Sequence, residues 1–273
     1  MESTKVIAEI GINHNGDLDT AKKLIDVAVI SGCDYVKFQK RNPDVCVPEA
    51  QKSKPKSTPW GDMTYLEYKY KVEFGKAEYD EIDRYCKEKG IGWFASVWDT
   101  DSVDFMANYT TIAKIPSALI TDIELVEYAR QKFDYLIIST GMSTENQISE
   151  CVSACDPNVI MHTNSTYPSP NNELKLDYIT WLVDKYPTKE IGYSGHEFGL
   201  TTTIASTLLG ATWIERHITL DRAMWGSDQM ASVEPQGLIK LVKSIRDVES
   251  ARGGYNPRVI QGGELKKMES LRK

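Results

Sequence analysis

The chain has 273 residues, of which 41% are hydrophobic and 26% charged, a composition that supports a folded globular protein with a sizeable core and excludes disordered or collagen-like chains. With 32 Lys and Arg against 39 Asp and Glu, the net charge of -7 argues against sequence-independent attraction to nucleic acid or anionic membranes, so cations for an anionic ligand must be local. No run approaches the roughly 18 apolar residues of a membrane span, Met1 to Lys5 lead into a strand-like run rather than a signal peptide, and five scattered cysteines suit reduced thiols; a cytoplasmic location is expected.

In chain order, short runs rich in Val, Ile and aromatic residues read as eight strands: Val6 to Ile10, Asp34 to Gln39, Gly92 to Ser96, Thr111 to Ile115, Tyr135 to Ser139, Val159 to His162, Ile191 to Ser194 and Trp213 to His217. Each precedes an amphipathic stretch that reads as a helix: Asp19 to Ile30, Lys76 to Lys89, Thr100 to Asn108, Asp122 to Lys132, Thr144 to Ala154, Glu173 to Lys185, Leu200 to Leu209 and Pro235 to Ala251. Strict alternation of this kind predicts an α/β fold, a (β/α)8 TIM barrel forming a single domain over residues 1–273, because parallel strands need crossover helices. A doubly wound open sheet is disfavoured, since Gly11-Ile12-Asn13-His14-Asn15-Gly16 has neither dinucleotide-fingerprint nor P-loop spacing. The long connection from Lys40 to Gly75 reads as an active-site lid or wall, with its Lys52, Lys54 and Lys56 run as a mobile loop.

Barrel active sites sit at the C-terminal ends of the strands, so polar residues there are informative. Those ends carry Glu9, Lys37, Gln39, Ser96, Lys114, Ser117, Ser139, His162, Asn164, Ser165, Ser194, His196, Glu215 and His217, and all four histidines, His14 included, fall at or just past a strand. His196 and His217 lie one βα unit apart. They read either as hydrogen-bonded structural histidines or as two ligands of one open divalent-metal site, completed by Glu9 or water and suited to Mn2+ or a similar Lewis-acid ion. Lys37 and Lys114 alternate with apolar neighbours, where an unpaired ammonium is costly. Either they form internal salt bridges to Glu9 or Glu215, or they hold the phosphate or carboxylate of a ligand together with hydroxyls of Ser96, Ser117, Ser139 and Ser194. Cys151 and Cys155 read as buried thiols on one helix turn rather than as a zinc site, Glu215 and Arg216 as an ion pair at the rim, and Trp60 and Trp225 as loop residues suited to stacking on a sugar.

Seven segments, in order, resemble the N-acetylneuraminate (sialic acid) synthase family: Ala8-Glu9-Ile10-Gly11-Ile12-Asn13-His14-Asn15-Gly16, Val36-Lys37-Phe38-Gln39, Ala113-Lys114-Ile115, Ser139-Thr140-Gly141-Met142, Tyr167-Pro168-Ser169-Pro170, Ile191-Gly192-Tyr193-Ser194-Gly195-His196 and Glu215-Arg216-His217-Ile218-Thr219. The resemblance implies condensation of phosphoenolpyruvate with an N-acylhexosamine such as N-acetylmannosamine, metal-dependent and with C–O cleavage, to give a sialic acid-like nonulosonate. It implies that Lys37, Ser96 and Lys114 hold the donor's carboxylate and that Ser117, Ser139, Ser165 and Ser194 hold its phosphate. It further implies that His196 and His217 bind the metal, Mn2+ with Mg2+ or Co2+ as alternatives, that Glu9 stands beside the reacting carbons, and that Gln39, Tyr167 and Asp228 face the sugar.

Departures from the family fall on the sugar side. Leu119 replaces a glutamate, Pro116-Ser117-Ala118 a Gly-Ser-Gly turn, and Trp225-Gly226-Ser227 the start of a Pro-Gly-Pro-Asp loop. Family members also carry an antifreeze-like domain whose arginine enters the partner subunit's sugar site. The stretch Glu264 to Lys273 ends before it, so a barrel-only form is expected, with Arg222 or a lysine of the 52–56 run replacing that arginine. A homodimer through the barrel and a separate antifreeze-like domain protein are the partners left open. Two other readings compete: a Schiff-base lysine aldolase using Lys114 and pyruvate, and a catalytically silent or partner-dependent barrel that binds a phosphorylated sugar.

Overall fold

Side chains of a strand alternate between its two faces, so a strand closed into a barrel splits its residues between an interior and a surface covered by helices. The computed structural model describes residues 3–253 and 257–272, and in it this division is complete. The barrel strands are β1 (Lys5–Gly11), β2 (Tyr35–Lys40), β5 (Gly92–Val97), β6 (Ile112–Ile115), β7 (Tyr135–Ser139), β8 (Val159–Thr163), β9 (Glu190–Gly195) and β10 (Trp213–His217). They close in the order β1-β2-β5-β6-β7-β8-β9-β10 and back to β1, every pair parallel. Helices with the predicted alternation surround it, among them Leu18–Ser31, Lys76–Lys89 and Pro235–Arg252.

Two apolar clusters follow from the alternation. Ile7, Phe94, Ile137, Val159, Met161 and Trp213 pack inside the barrel, while a larger cluster, with Ala8, Val36, Ala113, Ile138 and Ile160 from the strands, packs against the helices. Two residues further along each interior row, at the C-terminal end, apolar residues give way to polar ones: Ile7 is followed by Glu9, Tyr35 by Lys37, Phe94 by Ser96, Ile112 by Lys114, Ile137 by Ser139 and Trp213 by Glu215. The apolar layers seal the floor and the polar rows above it form the site.

The connection after β2 is ordered, contrary to the reading of its lysine run as a mobile loop. It holds short helices at Pro43–Cys46 and Glu49–Lys52, an antiparallel hairpin of β3 (Pro55–Thr58) with β4 (Gly61–Thr64), and the helix Tyr65–Val72. That helix starts with a reciprocal cap: Thr64 Oγ1 accepts from the Glu67 amide, and the Glu67 carboxylate accepts from the Thr64 amide. Tyr68 and Val72 bury one face against Ile12, with Met63, Tyr65 and Trp225 packed around them, which pins the insert over one side of the barrel mouth. Trp225 is thereby absorbed into packing. A further helix, Gly262–Leu271, lies beyond the eight predicted ones. Among the described residues, no helix is long and apolar enough to cross a membrane.

Candidate active site

Closing the barrel brings residues far apart in sequence onto one floor. Lys37 Nζ stands 2.8 Å from Glu9 and 3.5 Å from Glu215, and Lys114 Nζ stands 2.8 Å from Glu215. All four side chains are buried. The internal salt-bridge alternative is therefore what the structure contains, and the two charges of each sign balance. Burial opposes the charge on Lys37, but Glu215 and Glu9 outweigh it and lift its pKa above the ordinary lysine value. At Lys114 burial prevails and its pKa is lowered, because Glu215 alone faces it closely and Lys37 repels it. An ammonium has three donors, so Lys114 keeps N–H groups for a ligand after bonding Glu215.

Around this floor lie hydroxyls suited to an oxyanion. Ser139 Oγ is buried without a hydrogen-bond partner, and Ser117 Oγ accepts from the Gly141 amide at 3.1 Å, which leaves its own proton to donate. Ser96, Ser165 and Ser194 line the same cavity of about 290 Å3, with Glu9, Lys37, Gln39, Lys114, Tyr167, His196 and His217. Gly141 keeps it open: a Cβ there would sit 2.9 Å from Ser117 Oγ and closer still to Ser165 Oγ. Gly141→Ala is accordingly expected to weaken binding of an anionic ligand in this cavity by about 10- to 100-fold, as displacements near 1 Å do, with little change in melting temperature. A binding titration alongside a melting curve checks both halves.

The two histidines meet at the rim, their ring centroids 5.4 Å apart. His196 Nδ1–H donates to the Asn164 carbonyl at 2.6 Å, which leaves the Nε2 lone pair free. Burial, aided by repulsion from His217, pushes the His196 pKa down to about 3, so this ring is neutral at neutral pH. His217 Nδ1 is buried without a hydrogen bond, and the Asp228 carboxylate lies 3.9 Å from it. Two imidazoles with uncommitted nitrogens fit a divalent ion. Glu9 does not offer itself as a third ligand, because one oxygen pairs with Lys37 and the other accepts from Gln39 Nε2 at 3.0 Å. Among the described residues, no group of three or more His, Cys, Asp or Glu forms a metal cage, so substrate or water would complete the coordination.

A second cavity of about 360 Å3 adjoins the first, and Gln39, Trp98, Tyr167 and His217 line both. Asp228 lies here, with Arg41 and Lys69 on the wall made by the insert. The Arg41 guanidinium lies 4.0 Å over the Trp98 ring and donates to Gln39 Oε1. Burial, aided by Arg41, lowers the Lys69 pKa to about 8. Sequence reasoning missed Arg41, Lys69 and this use of Trp98; continuing the two-residue step of β2 from Lys37 through Gln39 reaches Arg41, but Lys69 lies on an insert with no such guide.

Several expectations fail on geometry. His162 faces outward, as its parity with Ile160 requires, and donates to the Leu174 carbonyl at 2.6 Å; His14 stacks on Phe74 with centroids 3.9 Å apart. Arg216 also points outward, so it pairs with Glu197 at 3.4 Å while Glu215 points in. Arg222 does not stand in for the family's arginine: it bonds Glu234 at 3.1 Å beside a different cavity. Lys52 pairs with Glu49, and Lys56 covers the Tyr68 and Trp225 rings. Leu119 packs against the core.

With this geometry in place, the comparisons agree with each other. The sequence profile of the NeuB family matches residues 24–256. The N,N'-diacetyllegionaminic acid synthase of Campylobacter jejuni is 35% identical over 263 residues, covering 93% of this chain and 78% of the relative. The N-acetylneuraminate-9-phosphate synthase of Homo sapiens is 38% identical over 262 residues, covering 93% and 73%. Among solved structures, the N-acetylneuraminic acid (sialic acid) synthetase from Leptospira borgpetersenii, in complex with citrate, superposes with a TM-score of 0.87 at 29% identity, covering all of this chain and 93% of that one.

Proposed function

The chain belongs to the NeuB family, and from that premise we propose that it is a phosphoenolpyruvate-dependent sugar-acid synthase that joins the donor to an N-acylhexosamine and releases phosphate. The observation that carries this reading is the convergence of Lys37, Lys114, an unpartnered Ser139 hydroxyl and two imidazoles on one cavity at the barrel rim.

Lys37, Ser96 and Lys114 bind the donor carboxylate, and Ser117, Ser139, Ser165 and Ser194 take its phosphate oxygens, which fixes the enol phosphate against the wall shared with the second cavity. Tyr167 and Asp228 position the acceptor on the far side of that wall. His196 and His217 would hold a divalent ion, Mn2+ in this reading, whose chemistry when bound is Lewis-acid polarisation of the acceptor's carbonyl. C3 of the enol phosphate forms a bond to the aldehyde carbon, the aldehyde oxygen takes a proton, water adds to the cationic C2 and gives up a proton, and phosphate leaves with cleavage of its bond to carbon. Glu9, oriented by Lys37 and Gln39, stabilises the charge at C2 and moves the proton.

The test incubates the protein with Mn2+, phosphoenolpyruvate and a panel of N-acylhexosamines and follows phosphate. Acceptor-dependent release with oxygen-18 from labelled water retained in the sugar acid is expected. A lysine adduct trapped by borohydride with pyruvate, for which the lowered Lys114 pKa would suit, supports the aldolase instead. Donor binding with no release for any acceptor favours the silent barrel.

A further inference from the structure

The two rim histidines stand just past the point where their strands stop holding each other. The β9–β10 ladder ends with Arg216 opposite Gly195, so His217 and His196, the next residues along, lie beyond it. His217 is still paired with Glu9 of β1. His196 follows the last residue of β9, and its carbonyl and ring bond Ser169 and Asn164, both on the β8 side. Alternation turns the residue beside each histidine outward, Glu197 after His196 and Arg216 before His217, and these two meet at 3.4 Å with both side chains buried. Arg216 also reaches the backbone: Nη2 donates to the Glu197 carbonyl at 2.6 Å, and Nη1 donates to the Gly199 carbonyl at 2.9 Å and to Thr203 Oγ1 at 2.7 Å. The Glu197 carboxylate accepts from Tyr193 at 3.0 Å, Thr202 at 2.8 Å and Thr203 at 2.7 Å, so it is fixed as well. A planar guanidinium thus clips the peptide that follows His196 to the residue that precedes His217.

Two imidazoles serve one ion only where the residues behind them hold their separation. We propose that Arg216, oriented by Glu197, is a positioning residue that sets the spacing of His196 and His217 for a shared divalent ion. It stands on the helix-facing side of the barrel wall and acts through the backbone. A buried ion pair contributes little net stability, because desolvation offsets most of its attraction, so the spacing of the histidines is what the chain gains from placing one here. The inference rests on the reading of the two histidines as ligands of one ion and adds what keeps them in register.

The test titrates Mn2+ into the full chain without substrate and follows it by electron paramagnetic resonance, with a melting curve beside each titration. Arg216→Lys keeps the charge and removes the fork, and it is expected to bind Mn2+ about 10- to 100-fold more weakly than the native chain. Pulsed resonance should count two imidazole nitrogens coupled to the ion in the native chain and one in the variant. Thr203→Val removes the hydroxyl that links Arg216 to Glu197 and should weaken Mn2+ about 2- to 10-fold, the worth of one hydrogen bond; it carries the test if Arg216→Lys does not fold. Arg246→Lys is the control for general loosening. Arg246 bonds the Thr4 carbonyl and Asp34 at the opposite end of the strands, so its replacement should lower the melting temperature and leave Mn2+ affinity unchanged. Native affinity with two coupled nitrogens in Arg216→Lys, native affinity in Thr203→Val, or an equal loss in Arg246→Lys would overturn the proposal. Absence of Mn2+ binding by the native chain would overturn the metal reading itself, and the positioning role with it.

Discussion

Lys37→Met is expected to reduce phosphate release from phosphoenolpyruvate by at least about 1000-fold and to destabilise the fold by about 3–5 kcal/mol, the usual cost of leaving a buried charge uncompensated. Among the described residues, Lys37 is the one cation paired with both Glu9 and Glu215, so its loss leaves two carboxylates to share Lys114 on a buried floor. The double variant Lys37→Met/Glu9→Gln separates the two effects. It removes one charge of each sign and retains the Lys114–Glu215 pair, so most of the lost stability should return while activity stays absent. Urea unfolding and a coupled phosphate assay on the three proteins check this. Near-native turnover by Lys37→Met would remove the lysine from the donor site.

His217→Ala should give the opposite pattern, with a loss of about 1000-fold or more in kcat and a stability change of about 1 kcal/mol or less. Its Nδ1 makes no hydrogen bond within the protein, so truncation strands no partner. His196 differs, because its Nδ1–H bonds the Asn164 carbonyl, and His196→Ala should lose stability as well as activity. Electron paramagnetic resonance of added Mn2+ provides a reading independent of turnover: the native chain should bind the ion and both variants should bind it at least about tenfold more weakly. Tight, unchanged Mn2+ binding by both variants would place the metal elsewhere.

The barrel was legible because its signal is local. Eight apolar runs alternating with amphipathic stretches give the observed strands, two of them, Tyr135–Ser139 and Trp213–His217, with the same bounds. The interior rows were legible for the same reason: counting in twos from Ile7 to Glu9 or from Ile112 to Lys114 reaches the site. The same count places His162 and Arg216 on the helix-facing side, a step that proximity to a strand end concealed. What the sequence did not disclose was partnership. Lys114 meets Glu215 across 101 residues, and only closure of the barrel determines that Glu215 rather than Glu9 is its counter-ion. The insert was opaque because its short elements have no sustained period, although Thr64 and Glu67 at capping-box spacing before Tyr65, Tyr68 and Val72 do mark a helix start.

The two halves of the site differ in how they are built. Residues of the inner cavity stand on or just past barrel strands that share one hydrogen-bonded ring, whereas Arg41, Lys69 and much of the second cavity's wall belong to the single connection between β2 and the helix Lys76–Lys89. Under the proposed synthase reading, selection for a new sugar can therefore act on one contiguous stretch of chain and leave the bond-making chemistry untouched.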